Sequence, residues 1–194
     1  PEVIVLYQQA FPASERREVN QLKRLIAGQS SMFFHVIEEG GKLAGLFVYW
    51  KLADFYYLEH LAVCPEMRNQ KIGQKVLDYI REHLSGEHLL EVEPAVDEIT
   101  TRRINYYRRN GYEIVEKQYR QPAYDNPEKS YPLWLMSNRD YPDRRELAEH
   151  IQVIKEEVYY KHAADGQKEY YEWLNEIYNE GILDPEFATQ THED

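Results

Sequence analysis

One cysteine, Cys64, is all the thiol chemistry the 194-residue chain offers. A single thiol excludes an intrachain disulfide framework and a cysteine-rich metal site, and it points to a reducing, cytoplasmic setting. No apolar run approaches the roughly 18 residues of a membrane span. No basic stretch leads into an apolar one near the start, so neither a secretory leader nor a membrane partner is expected. His, Cys and Asp nowhere take metal-ligand spacing, so no metal is expected. No Gly-x-Ser-x-Gly elbow is present, and no internal repeat or low-complexity tract. Positive charge is in deficit: the formal net charge is −11. A nucleic-acid binder needs a basic footprint, so nucleic acid is not an expected partner. The deficit is uneven. Residues 1–137 carry 17 basic and 19 acidic side chains, whereas residues 138–194 carry 6 and 15. The acidity belongs to the tail.

What is present suits a folded protein, with 43% hydrophobic and 13% aromatic residues. The length allows one domain with a substantial core plus an appendage. Val3, Leu6, Tyr7, Ala10 and Phe11 recur at helical spacing, which predicts a helix near 2–11. Ser14 reads as the N-cap of a second helix ending near Ala27. Met32–Glu38 and Lys42–Leu52 read as strands joined by Gly40-Gly41, a two-residue hairpin signal. Tyr56–Val63 is a third strand. Ile72, Val76, Leu77 and Ile80 mark one helix face, and His88–Glu93 is a short apolar strand stopped by Pro94. Glu98–Asn110 is helical with Gly111 at its end, and Glu113–Tyr119 and Tyr131–Asn138 are final strands. In the tail, Leu147, Ile151, Ile154 and Val158 form one helical stripe; Tyr170, Trp173, Leu174, Ile177 and Tyr178 form another. This order predicts a mixed sheet with helices on both faces. It divides the chain into a main domain, 1–138, and an acidic helical extension, 139–194, packed on the domain or on a partner. Within the extension, residues 169–187 are similar to a segment of some bacterial extracellular solute-binding proteins, a short and isolated likeness.

Two segments carry chemistry. The first is Leu61-Ala62-Val63-Cys64-Pro65-Glu66-Met67-Arg68-Asn69-Gln70-Lys71-Ile72-Gly73. A strand runs into a basic loop that opens a helix, and free N–H groups at a helix N-terminus bind anions. The second is Tyr106-Tyr107-Arg108-Arg109-Asn110-Gly111-Tyr112, which ends a helix. Together, about 35 residues apart with a strand between them, they resemble the GCN5-related N-acetyltransferase (GNAT) superfamily over roughly residues 3–137.

The resemblance implies an α+β, three-layer α-β-α fold with a mixed, mostly antiparallel sheet. It implies an N-acetyltransferase that moves an acetyl group from acetyl-CoA to a primary amine in a ternary complex. The alternatives are a non-catalytic acyl-CoA-binding module and an interaction scaffold. Acetyl-CoA would enter as the donor substrate. The pantetheine would lie along Leu61, Ala62 and Val63, where the strand is expected to splay from its neighbour. The pyrophosphate would lie on Arg68, Asn69, Gln70, Lys71, Ile72 and Gly73. Lys71 stands where the family usually has glycine, and a lysine fits there if its φ is negative. Tyr107 would be the general acid beside the thioester sulfur. Arg103, one turn before it, reaches either a CoA phosphate or, preferably, Glu91 or Glu93 in an ion pair.

For the general base, strand alternation places Glu59, Leu61 and Val63 on one face and Leu58, His60 and Ala62 on the other. A carboxylate among apolar residues is expected to have a raised pKa suited to a base. The competing reading of Glu59 is a structural ion pair with a nearby arginine. His60 becomes the alternative base if the strand bulges. The expected acceptor is a small-molecule or peptide amine, and a homodimer is left open. The first family strand is missing from the pattern, because the chain opens on a helix.

Overall fold

The computed structural model describes residues 2–162, apart from Gln29, Asp125 and Pro127. The second tail stripe, its expected Gly181 cap and the 169–187 likeness lie outside the described residues.

Six strands form one sheet in the order β1-β2-β3-β4-β6-β5. They are β1 (Met32–Glu39), β2 (Lys42–Lys51), β3 (Tyr56–Val63), β4 (His88–Val92), β5 (Glu113–Pro122) and β6 (Ser130–Ser137). All neighbours are antiparallel except β3 and β4. That parallel pair requires a crossover, and α3 (Ile72–His83) supplies it. The β1–β2 turn takes positive φ at both Gly40 and Gly41, 59° and 76°, as a tight hairpin demands.

β2 is central and alternates cleanly. Leu46, Val48 and Trp50 face one layer, and Phe47 and Tyr49 face the other. The first layer holds α1 (Glu2–Ala10) through Leu6 and Tyr7, α2 (Val19–Ala27) through Leu22 and Leu25, and α5 (Arg144–Ile154) through Leu147 and Ile154. A π-helical turn, Lys155–Tyr159, continues α5 and buries Val158 and Tyr159 in the same core. The opposite layer holds α3 through Val76, Leu77 and Ile80, and α4 (Glu98–Arg109) through Ile104. The result is the three-layer α+β arrangement expected from the order of elements. α5 lies over a sheet face rather than along the outer edge of β1.

Two local expectations are corrected. Ser14 does not cap α2. A 3₁₀ turn spans Ala13–Glu15, the chain then extends, and the Glu18 carboxylate caps α2 by accepting from the N–H groups of Asn20 (2.9 Å) and Gln21 (3.0 Å). The extended stretch turns Arg17 inward, where its own N–H donates to the Tyr7 hydroxyl at 2.8 Å.

The second correction concerns β3. Its register against β2 pairs Leu58 with Tyr49 and His60 with Val48, so Glu59 is an extra residue in a β-bulge. The bulge resets the alternation. Leu58 and Leu61 pack against the α3 side, while Ala62 joins the α1/α2/α5 core and His60 packs on Tyr7 and Phe11. Glu59 therefore does not share a face with Leu61.

Candidate active site

The β3–β4 ladder runs only from Tyr56–His88 to Leu58–Leu90. β3 continues to Val63, so Leu61, Ala62 and Val63 keep β2 on one edge and no strand on the other. A cavity of about 590 Å³ opens in this splay. Leu61, Ala62, Val63, Glu59, His60, Glu91, Arg68, Arg103 and Tyr107 all line it, so one space gathers residues from both sequence motifs.

A second hollow of about 500 Å³ lies beyond Val63, walled by Arg68, Asn69, Lys71, Ile72, Gly73 and Tyr106. It ends at the start of α3, where Lys71 occupies the N-cap position without a side-chain cap. The first-turn N–H groups of α3 are left for an incoming acceptor. Lys71 has φ +58°, and Asn69 has φ +67°. The expectation of a negative φ at Lys71 is thus overturned: lysine takes the left-handed conformation that glycine adopts freely. Gly73 is needed for a different reason. A Cβ there would lie 2.8 Å from the Tyr106 hydroxyl, so its absence lets α4 approach α3. Lys75 turns away from this hollow to pair with Glu39 at 2.6 Å.

Tyr107 is half-buried between α4 and the sheet, its ring edge-on to those of Tyr106 and Tyr112, and lines the main cavity. Burial pushes its pKa up, against the pull of Arg103, so its phenol holds its proton at neutral pH. Arg103 lies 3.5 Å from Glu93 in an exposed pair. The preferred ion-pair reading of Arg103 is the arrangement observed.

Glu59 differs most from expectation. Its carboxylate faces Arg17 Nη2 at 3.1 Å, with both side chains 1% exposed. Oε1 also accepts from Trp50 Nε1 at 2.7 Å, and Oε2 accepts from the Tyr124 hydroxyl at 3.2 Å. Arg17 further donates to the Val158 carbonyl (2.6 Å) and to Gln21 (3.2 Å), and its guanidinium lies near the Trp50 and Tyr124 rings. Burial alone raises the Glu59 pKa. Arg17, and then His60 and Trp50, more than reverse that, so the carboxyl is held well below the usual range. The expected upward shift is therefore overturned. His60 is also engaged. Its Nε2 must donate to the Glu15 carbonyl at 2.9 Å, while Nδ1 lies 3.2 Å from Glu59.

Glu91 shows the shift anticipated for Glu59. On β4 it shares the face of Leu89 rather than of Leu90 and Val92. Burial pushes its pKa up to about 8, with Tyr159, Lys155 and Tyr119 pulling the other way. Its Oε1 accepts from the Tyr159 hydroxyl at 2.6 Å. Tyr159, Arg17 and Tyr124 belong to no motif, so only folding reveals their roles. Glu91 was open to the same reasoning as Glu59, since it too is a carboxylate inside an apolar strand.

A separate cluster of Glu87, Glu146 and His150 brings ligand-type atoms within 4.8 Å of one another. Arg139 neutralises it, at 3.0 Å from Glu87 and 2.5 Å from Glu146, and His150 Nδ1 meets the Tyr141 hydroxyl at 2.9 Å. Among the described residues, no helix is long and apolar enough to cross a membrane.

Known proteins match this arrangement. The acetyltransferase (GNAT) domain family matches residues 30–114, which span the splay and both motifs. A solved GNAT-family protein from Bacteroides thetaiotaomicron is 30% identical, with TM-score 0.76, over 81% of this chain and 90% of its own. More distant in sequence are an aminoglycoside 6'-N-acetyltransferase solved with coenzyme A (15% identity, TM-score 0.51, 73% of this chain, 92% of its own) and a histone acetyltransferase-related protein from Corynebacterium glutamicum (16%, 0.51, 72% and 88%). These two share the fold. No curated protein matches the chain in sequence. With the splayed strands, the uncapped helix and a near-full-length relative in agreement, the chain belongs to the GNAT acetyltransferase family.

Proposed function

We propose that the protein is an N-acetyltransferase that moves the acetyl group of acetyl-CoA to a primary amine in a ternary complex. The observation that carries this reading is the end of the β3–β4 ladder at Leu58–Leu90. It leaves backbone groups of Leu61–Val63 free to bond the pantetheine amides inside a cavity that Tyr107 also lines. At the far end, the N–H groups from Asn69 to Gly73 and the charges of Arg68 and Lys71 receive the pyrophosphate.

Tyr107 donates a proton to the departing thiolate, as its raised pKa permits. Glu59 serves as an anchor that fixes Arg17, Trp50 and Tyr124 behind the cavity. Arg103 stays with Glu93 and shapes the mouth. The reading needs no metal, nucleic acid or membrane, it leaves a homodimer open, and it suits a reducing cytoplasm in which buried Cys64 stays free.

One observation favours a second reading, a non-catalytic acyl-CoA sensor: the residue at the expected base position is locked in an ion pair. Free-thiol release from acetyl-CoA across a panel of amines separates the two. Turnover that falls about 10²- to 10⁴-fold in Tyr107→Phe supports the enzyme. CoA-dependent thermal stabilisation without turnover by any amine supports the sensor.

A further inference from the structure

The two margins of the sheet are built differently. β5, at one end, carries Glu113, Glu116, Lys117 and Arg120, shifts register twice against β6, and has its Val115 carbonyl taken by Arg144 of α5. Charges, bulges and covering side chains keep a sheet edge from pairing. β1, at the other end, lacks all three between Met32 and Ile37. That run holds no Lys, Arg, Asp or Glu and keeps its register with β2 until after Ile37. Among the described residues, no strand pairs with its outer side.

One bond fixes which groups face outward. Lys51 donates its backbone N–H to the Ser31 carbonyl at 2.9 Å. Ser31, Phe33, His35 and Ile37 therefore turn their backbone toward β2, and Met32, Phe34 and Val36 turn theirs out. Ser30 Oγ accepts from the Met32 N–H at 3.2 Å. The Met32 carbonyl and both backbone groups of Phe34 and Val36 are left facing away from the sheet. The side chains here are apolar and open: Phe33 is 41% exposed, Val36 49%, and Ile26 of the neighbouring α2 47%. Phe33 stacks on Tyr49 at 5.0 Å and His35 on Phe47 at 4.6 Å, an aromatic row that stops at the edge.

We propose that this edge pairs antiparallel with β1 of a second copy of the chain, about a two-fold axis at Phe34. The pairing does not rest on the acetyltransferase reading. Phe34 exchanges backbone bonds with its own copy, and the Val36 N–H donates to the Met32 carbonyl of the second copy. Phe33 then lies beside His35 of the second copy, which carries the aromatic row across the axis. Charge selects the direction. At the hairpin end Glu39 is held by Lys75, whereas Glu38 is exposed. The antiparallel register sets Glu38 opposite Ser30 of the second copy. Ser30 Oγ donates to the Leu25 carbonyl at 3.3 Å, so the last turn of α2, with Arg24, lies over that position. Parallel pairing would set Glu38 against Glu38 instead.

The contact is smaller than the ~800 Å² per partner of a standard interface, so half-dimerisation is expected at a protein concentration on the order of 10 µM. Sedimentation velocity on a dilution series of the full-length protein reads it. Hydrogen exchange over the same series gives the location: the Phe34 and Val36 amides should slow at least about tenfold on concentration, while the inward Phe33 and His35 amides stay protected throughout. A protein still monomeric at about 0.5 mM overturns the proposal, as do edge amides that are slow at every dilution because the same chain covers them. Val36→Pro removes an N–H that β2 does not use and is expected to raise the midpoint concentration at least about tenfold. Arg24→Glu should raise it about three- to tenfold, and adding Glu38→Lys should restore it. No recovery in the double variant overturns the register. Mixed Phe33→Cys and His35→Cys chains are expected to cross-link on oxidation faster than either variant alone. Equal rates overturn the pairing at Phe34.

Discussion

Arg17 and Glu59, 42 positions apart in sequence, meet at 3.1 Å with each side chain 1% exposed. The pair joins the loop before α2 to the bulge in β3, and through Val158 it also holds the turn after α5. Removing one member leaves an uncompensated buried charge. Glu59→Gln is expected to destabilise the fold by about 3–5 kcal/mol, measured by urea denaturation. The pH dependence follows from the depressed carboxyl pKa. The stabilisation is complete above the unfolded value of 4.5 and is lost as pH falls below it. Glu59→Gln should therefore flatten the acid limb of the stability profile; an unchanged limb would contradict the pairing.

Glu91 carries the opposite sign. Its unfolded carboxyl ionises near 4.5, but in the fold it ionises only near 8. Between those values the unfolded state gives up its proton more readily, so Glu91 costs stability as pH rises. Glu91→Gln is expected to gain about 2 kcal/mol or more at pH 8, and little at pH 4. Thermal melts across that range read the difference. A gain independent of pH would show that the carboxyl is not the cause.

Lys71 holds φ +58° at the N-cap of α3. Lys71→Gly relieves a left-handed conformation that costs a side-chain-bearing residue about 1 kcal/mol. Part of that gain is offset by the flexibility glycine adds to the unfolded chain. Urea midpoints should rise slightly, or hold, in the free protein. A clear loss of stability would mean that the lysine side chain is bonded in a way its geometry does not suggest.

Gly73 and Tyr106 form a second testable contact. An added Cβ would lie 2.8 Å from the Tyr106 hydroxyl, which is itself buried and makes no hydrogen bond among the described residues. Gly73→Ala is expected to cost about 1–3 kcal/mol. Tyr106→Phe alone should be near neutral, since it removes an unpaired polar atom, and it should recover most of the Gly73→Ala loss. Additive losses in the double variant would place the clash elsewhere.

These contrasts show where sequence is legible. Strand ends and helix faces were readable because alternation and 3.6-residue spacing are local: β3 was expected at Tyr56–Val63 and is found there. The two motif segments were readable because phosphate binding and close helix packing constrain neighbouring residues in the chain. The bulge was not readable. One extra residue at Glu59 changes every facing after it, and nothing within the strand announces it. The N-cap was misplaced because Ser14 and Glu18 both carry capping oxygens, and the choice was made by the burial of Arg17 between them. Arg17 itself was invisible as a partner of Glu59, since charge pairing across 42 positions leaves no periodic trace.

The hydrogen bond from Arg17 to the Val158 carbonyl spans 141 positions. It sets an order of events during synthesis. A nascent chain can build the hairpin, the phosphate loop and α4 while residues beyond 150 are still inside the ribosome. Until Val158 and Tyr159 arrive, however, the guanidinium lacks its carbonyl and Glu91 lacks the phenol that bonds Oε1. The phosphate loop and its helix are thus assembled early, and the cavity wall behind Glu59 and Glu91 matures only as the last described turn docks. Such late, long-range closure is slow, and it makes the unfinished protein dependent on the last helix among the described residues.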